Sequence, residues 1–193
     1  KKGQGMSQGA LTMAEIFKEQ GYRTGIFGKW HLGDESQFLP HQQGFEESFY
    51  INKSNNQTKK LWRRDEIAKD PFDNRRLTEE FTNEAVSFIK THKNNPFFLY
   101  VPYSAPHFPV EAHPDWKGKS EYGSYGDVVE EVDARIGTIL ATLTEQALRA
   151  GAFGFTTSRT DQHKTVAGEL VPGRYSRAEE LIGIGQAMGR AGH

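Results

Sequence analysis

Two short apolar runs, each entered from a helical pattern, constrain this chain more than anything else in it. YRTGIF (22–27) and FFLYV (97–101) are short and rich in β-formers, and the second is apolar throughout, as a strand buried on both faces must be. Ahead of the first, Thr12 and Glu15 give the T-x-x-E pattern of a capping box. Ala14, Ile16 and Phe17 supply apolar positions, and Gly21 stands where a helix closes on a left-handed residue. Ahead of the second, Phe81, Ala85, Phe88 and Ile89 recur at helical spacing over 77–92, and Asn94-Asn95-Pro96 stops the pattern. A third helix is predicted at 125–148, striped by Val128, Val129, Val132, Ile136, Ile139, Leu140 and Leu143. This alternation predicts an α/β fold. Strands 22–27 and 97–101 should pair in parallel, covered by helices 12–20 and 77–92.

Other stretches say less. Residues 51–76 carry eight Lys/Arg against four Asp/Glu and read as a solvated surface excursion. Beyond residue 150 aromatics thin out and glycines increase; a strand at 152–157 and a helix at 177–190 would make one βα unit, too little to bury both of its faces. A net charge of −1 argues against nucleic acid or another polyanion as partner. No apolar run approaches the roughly 20 residues of a membrane span. KKGQGMSQGA lacks the apolar segment of a signal peptide, so none is expected there. With no cysteine there is neither a disulfide nor a thiol nucleophile, and the compartment and oligomeric state stay open.

The chemistry gathers where the strands end. In open α/β sheets, ligands bind beyond the carboxyl ends of the strands. The first strand runs into Gly28-Lys29-Trp30-His31 and then Gly33. If that segment stays extended, Lys29 and His31 face one side while Trp30 turns to the other as packing. An ammonium beside an imidazole is a cradle for an oxyanion, because both donate hydrogen bonds to anionic oxygen. A P-loop is excluded: Arg23 stands where its first glycine would be, and Trp30 where it needs Ser or Thr. The second strand ends in a loop carrying His107 between Pro106 and Phe108. Lys29, His31 and His107 are therefore the candidate site, converging on one pocket at the end of the sheet.

GYRTGIFGKWHLG resembles the second signature of the sulfatases of the alkaline phosphatase superfamily. LPHQQGFEESF, PFFLYVPYSAPHFP and YGDVVEEVDARIGTILATL are similar to the family segments that follow, in the same order. The resemblance covers about residues 8–143 and implies part of an alkaline-phosphatase-like sheet with flanking helices. It implies sulfuric ester hydrolysis of the arylsulfatase kind, with a calcium ion and a formylglycine nucleophile, acting on a small-molecule sulfate ester or similar oxyanion. Lys29 would contact the sulfate, His31 would support the hydrated aldehyde, and His107 would bind sulfate or protonate the leaving oxygen. Members are often periplasmic, secreted or lysosomal.

The chain also departs from that pattern. No serine stands in the [CS]-x-[PA]-x-R motif from which formylglycine is made. The early Asp pair that would bind calcium and the later S-D-N-G segment are absent too. No metal ligand is therefore assigned. Residues 145–192 resemble instead an internal piece of the N-acyl-D-amino-acid deacylases, which are amidohydrolases, and none of that family's ligands carries over. The expected organisation is a partial sulfatase catalytic domain at 1–143 and a deacylase-like segment at 144–193. Two functions follow: a sulfatase fragment inactive on its own, or a non-enzymatic chimeric remnant that binds anions weakly.

Overall fold

The computed structural model describes residues 5–7, 9–152 and 178–190. Along the chain run α1 (Met13–Glu19), β1 (Arg23–Lys29), β2 (Glu47–Ile51), β3 (Leu61–Arg63), β4 (Glu66–Lys69), α2 (Leu77–Thr91), β5 (Phe97–Tyr100), α3 (Gly123–Arg149) and α4 (Ala178–Arg190). The α/β class stands. The predicted strand at 152–157 falls, after Ala152, outside the described residues.

The capping box forms as its spacing predicts. Thr12 Oγ1 accepts from the Glu15 amide at 3.1 Å, and Glu15 Oε2 accepts from the Thr12 amide at 2.7 Å, so two of the orphan donors at the helix start are satisfied. Gly21, at φ 81°, then turns the chain into β1.

One five-stranded sheet has the order β4-β3-β2-β1-β5. β1 pairs in parallel with β5 from Arg23↔Phe97 to Ile26↔Tyr100, the predicted pairing, and also in parallel with β2 from Gly25↔Glu47 to Lys29↔Ile51. Period-two alternation sorts the faces. Phe27 meets Phe88 of α2 edge-on at 5.7 Å between ring centroids, and Phe49 meets Phe81 at 6.3 Å. On the opposite face Ile26 and Tyr50 join Ala14 of α1, Trp30 and Phe45 in a buried cluster, and Phe17 stacks on Phe98 at 4.8 Å. Gly25 is what lets α2 lie close, since a Cβ there would come within 2.9 Å of the Phe88 ring. Tyr50 donates its hydroxyl to the Arg64 carbonyl at 2.8 Å, and burial pushes the phenol well above its ordinary range.

The reading of 51–76 as surface excursion alone needs correcting. It holds β3 and β4, an antiparallel hairpin that extends the sheet from β2 and turns at Arg64-Asp65, with Arg64 at φ 54°. The basic excess has partners at a distance in sequence. Arg63 grips Glu84 of α2 through two bonds of 3.0 and 2.6 Å and lies over the Phe49 ring, while Lys69 reaches Glu80 at 2.8 Å. Each is half-exposed and contributes modestly, but together they hold the hairpin against α2.

The chain divides into two compact units, 1–136 and 137–193, the border falling within α3. In the first, Asp127 accepts from the amides of Gly118 at 2.7 Å and Ser120 at 2.8 Å, and these bonds hold its carboxyl below the ordinary carboxylate range. Glu131, fully buried, accepts from the His113 amide at 2.8 Å. In the second unit Arg190 of α4 pairs with Glu145 of α3.

Candidate functional site

The carboxyl ends of β1, β2 and β5 are tied together by backbone hydrogen bonds. Beyond the regular ladders, the Lys29 amide donates to the Pro102 carbonyl at 2.7 Å and the Trp30 amide to the Ile51 carbonyl at 2.8 Å. β1 thus runs two residues past its predicted end at Phe27, because the loop after β5 continues the ladder alongside it. Gly28 makes this possible. It sits at φ 154°, and a Cβ there would lie 2.2 Å from the Pro102 oxygen.

Trp30 turns inward, as its place between Lys29 and His31 predicts. It is 5% exposed, its indole N–H donates to the Phe38 carbonyl at 2.8 Å, and its ring meets Phe45 edge-on at 6.1 Å. With Trp30 fixed, its two neighbours are placed by a rigid core residue. His31 follows at φ 53°, a left-handed conformation uncommon outside glycine, held between the buried indole and Gly33.

Partial burial of its ring lowers the His31 pKa most, and the charges of Lys29, His107 and Lys53 lower it further. One imidazole thus feels the charges of Lys29, His107 and Lys53. His31 stays neutral to lower pH than a free histidine. The sign for stability follows: below the ordinary histidine range the unfolded chain takes up a proton that folded His31 declines, so this contribution is complete above that range and is lost as pH falls through it.

His107 is exposed, and its Nδ1 lies 2.7 Å from the Phe108 carbonyl. A carbonyl only accepts, so Nδ1 carries the hydrogen and Nε2 is left for a ligand, accepting when neutral and donating when charged.

Sequence reasoning missed Lys53 and Asp34. Lys53 Nζ pairs with Asp34 Oδ2 at 2.7 Å, and that contact holds the Asp34 carboxyl below its usual range. Lys53 stands two residues past β2, so only a reading that found β2 could have placed it at the sheet end. Both members of the pair are partly exposed.

A calcium ion needs about six to eight oxygen ligands, several of them carboxylate. Among the described residues no group of three or more His, Cys, Asp or Glu side chains is placed to hold a metal, and Asp34 is committed to Lys53. The described residues do not by themselves fit calcium.

The sulfatase family model matches residues 4–158. The chain belongs to the sulfatase family. It is 37% identical to N-acetylgalactosamine-6-sulfatase of Mus musculus over 165 residues, covering 76% of this chain and 32% of that protein. Against the arylsulfatase of Hemicentrotus pulcherrimus it is 28% identical over 182 residues, covering 83% of this chain and 33% of the relative. A solved structure from Bacteroides thetaiotaomicron, described under metabolism of multiple glycosaminoglycans, superposes with a TM-score of 0.69 at 25% identity, covering 77% of this chain and 45% of that one. This sulfatase-family chain spans about a third of the length of these curated relatives. Its sheet and flanking helices are those of the alkaline-phosphatase-like fold.

Proposed function

We propose that Lys29, His31 and His107 form the sulfate-binding part of a sulfuric ester hydrolase site, taking sulfate esters of sugar or aryl alcohols. The observation that supports this is the backbone tie from Lys29 to Pro102, which joins the segment bearing Lys29 and His31 to the loop bearing His107. Lys29 offsets the charge of the sulfate oxygens. Neutral His31 donates one hydrogen bond, and His107 through Nε2 binds a sulfate oxygen or gives a proton to the departing one. The likeness to N-acetylgalactosamine-6-sulfatase and to an arylsulfatase supports both substrate classes without choosing between them.

The described residues do not group into a calcium site and the sequence lacks the formylglycine motif, so no step is routed through either. Residues 144–193 we read as a segment of separate origin, similar to N-acyl-D-amino-acid deacylases. The change in composition beyond residue 150 supports that reading for the part past residue 158, where the sulfatase match ends. A chimeric remnant that only binds anions is the second reading, and it shares the same three residues.

Sulfate binding tests the core of the proposal. Titrated with sodium sulfate at low ionic strength, the chain should bind in the millimolar range, and Lys29→Ala should weaken binding about tenfold, as loss of one charge-assisted hydrogen bond implies. Equal affinity in the variant would remove Lys29 from the site.

A linked result concerns pH. A bound sulfate favours the imidazolium, so it should raise the His31 pKa, and affinity should increase as pH falls from about 8 to 5. The His31 ring proton, followed by NMR with and without sulfate, reports this. An unmoved titration would place the anion elsewhere.

A further inference from the structure

Beside His107, a small polar cleft opens at the start of α2, lined among others by Asn55, Asn74, Thr78 and Ser104. Asn55 and Ser104 are 3% and 7% exposed, and neither Asn55 Oδ1 nor Ser104 Oγ has a hydrogen-bond partner. Buried polar atoms are nearly always paired, so two orphans on one cleft point to a ligand.

The surrounding bonds state what kind of ligand. Asn74 Nδ2 donates to the Pro109 carbonyl at 3.1 Å and to Glu111 Oε2 at 3.0 Å, two groups that only accept. This fixes the Asn74 amide, whose Oδ1 must then receive the Asn55 Nδ2 hydrogen at 2.7 Å. Asn55 cannot flip without setting oxygen against oxygen. Its Oδ1 is therefore fixed as an unpartnered acceptor on a residue that lines the cleft, and an occupant that satisfies it must donate. An anion is excluded. The cleft, at about 10 Å³, has room for one water-sized molecule.

The Ser104 carbonyl accepts the His107 amide at 3.1 Å, so Ser104 opens the turn that carries His107. We propose that Asn55 Oδ1 and Ser104 Oγ hold one water between them, and that this bridge positions the Ser104–His107 turn. Asn55 and Ser104 are then positioning residues, tying the chain after β2 to the loop after β5. Water can donate to Asn55 and either donate to or accept from the Ser104 hydroxyl, which satisfies both orphans at once.

A crystal structure of the full chain at a resolution that shows waters, paired with Ser104→Ala and Ser104→Thr, tests this. The expected result is density within hydrogen-bond distance of both Asn55 Oδ1 and Ser104 Oγ, lost in the Ala variant and kept in the Thr variant. In solution, Ser104→Ala should shift and broaden the His107 ring-proton signal while His92 stays unchanged, and Ser104→Thr should restore it. An empty cleft in the unaltered chain overturns the proposal, even if Ser104→Ala fails to fold. So does an unmoved His107 signal in a folded Ala variant. Because sulfate is not needed for these readouts, a failure of the sulfate-binding reading would show separately, in the His31 titration.

Discussion

Given calcium and 4-nitrophenyl sulfate, the purified chain is expected to release 4-nitrophenol no faster than buffer does. In the proposed site Lys29, His31 and His107 would bind and polarise a sulfate, but they do not provide the group that attacks it. Covalent catalysis splits a hard step into two easier ones, and the attacking group must be in the chain. This sequence has no cysteine and no serine within the motif that formylglycine formation requires. Enzymes typically turn over at about 1 to 1,000 per second, with accelerations upward of about a millionfold, so the predicted deficit spans many powers of ten. Turnover near one per second that disappears in Lys29→Ala would show that another group of this chain serves as nucleophile. A flat trace that rises when a segment bearing a formylglycine and an Asp pair is joined ahead of Lys1 would support the assignment.

Gly28→Ala is expected to be the most damaging small substitution near the site. The new methyl would stand 2.2 Å from the Pro102 oxygen and 2.7 Å from its carbonyl carbon, and a residue with a Cβ does not rest easily at φ 154°. Neither neighbour is the end of a flexible side chain, so the backbone itself must part, and with it the bond from the Lys29 amide to Pro102. Strained backbone and overpacking each cost about 1–3 kcal/mol, so a loss of about 2–6 kcal/mol is expected, lowering Tm by roughly 10 °C. Sulfate binding should fall with it. Gly137→Ala is the control. Gly137 lies in α3 with nothing within 4 Å of the added carbon, and alanine is the better helix former, so Tm should hold or rise slightly. Calorimetry on the two variants decides it, and equal melting points would remove Gly28 from the account.

Legibility in this chain followed the range of the forces. α1, α2, β1 and β5 announce themselves because caps, apolar runs and Pro/Gly stops act over a few residues. β2 went unread because Glu47–Ile51 is brief, and its apolar residues reveal themselves as strand only once β1 lies beside it. β3 and β4 depend on partners further still: Arg63 finds Glu84 and Lys69 finds Glu80 across a stretch of chain that no local pattern spans. The site divides in the same way. Lys29, His31 and His107 follow runs that were recognised, whereas Lys53 and Asp34 depend on where β2 ends. Trp30 shows how much one residue can reveal. Its alternation with Lys29 and His31 predicted an inward indole, and the Phe38 carbonyl receives it there.

The parallel pairing of β1 with β5 also sets an order of events. Arg23 meets Phe97 only after roughly seventy intervening residues have been made, and such distant pairings come late because a long loop must close before any contact repays it. Lys29 and His31 emerge from the ribosome before Pro102, yet the proposed anion site would be complete only once Pro102 docks. An anion spanning Lys29 and His107 would then act as a clasp on the finished sheet, favouring the closed chain by the free energy of its own binding.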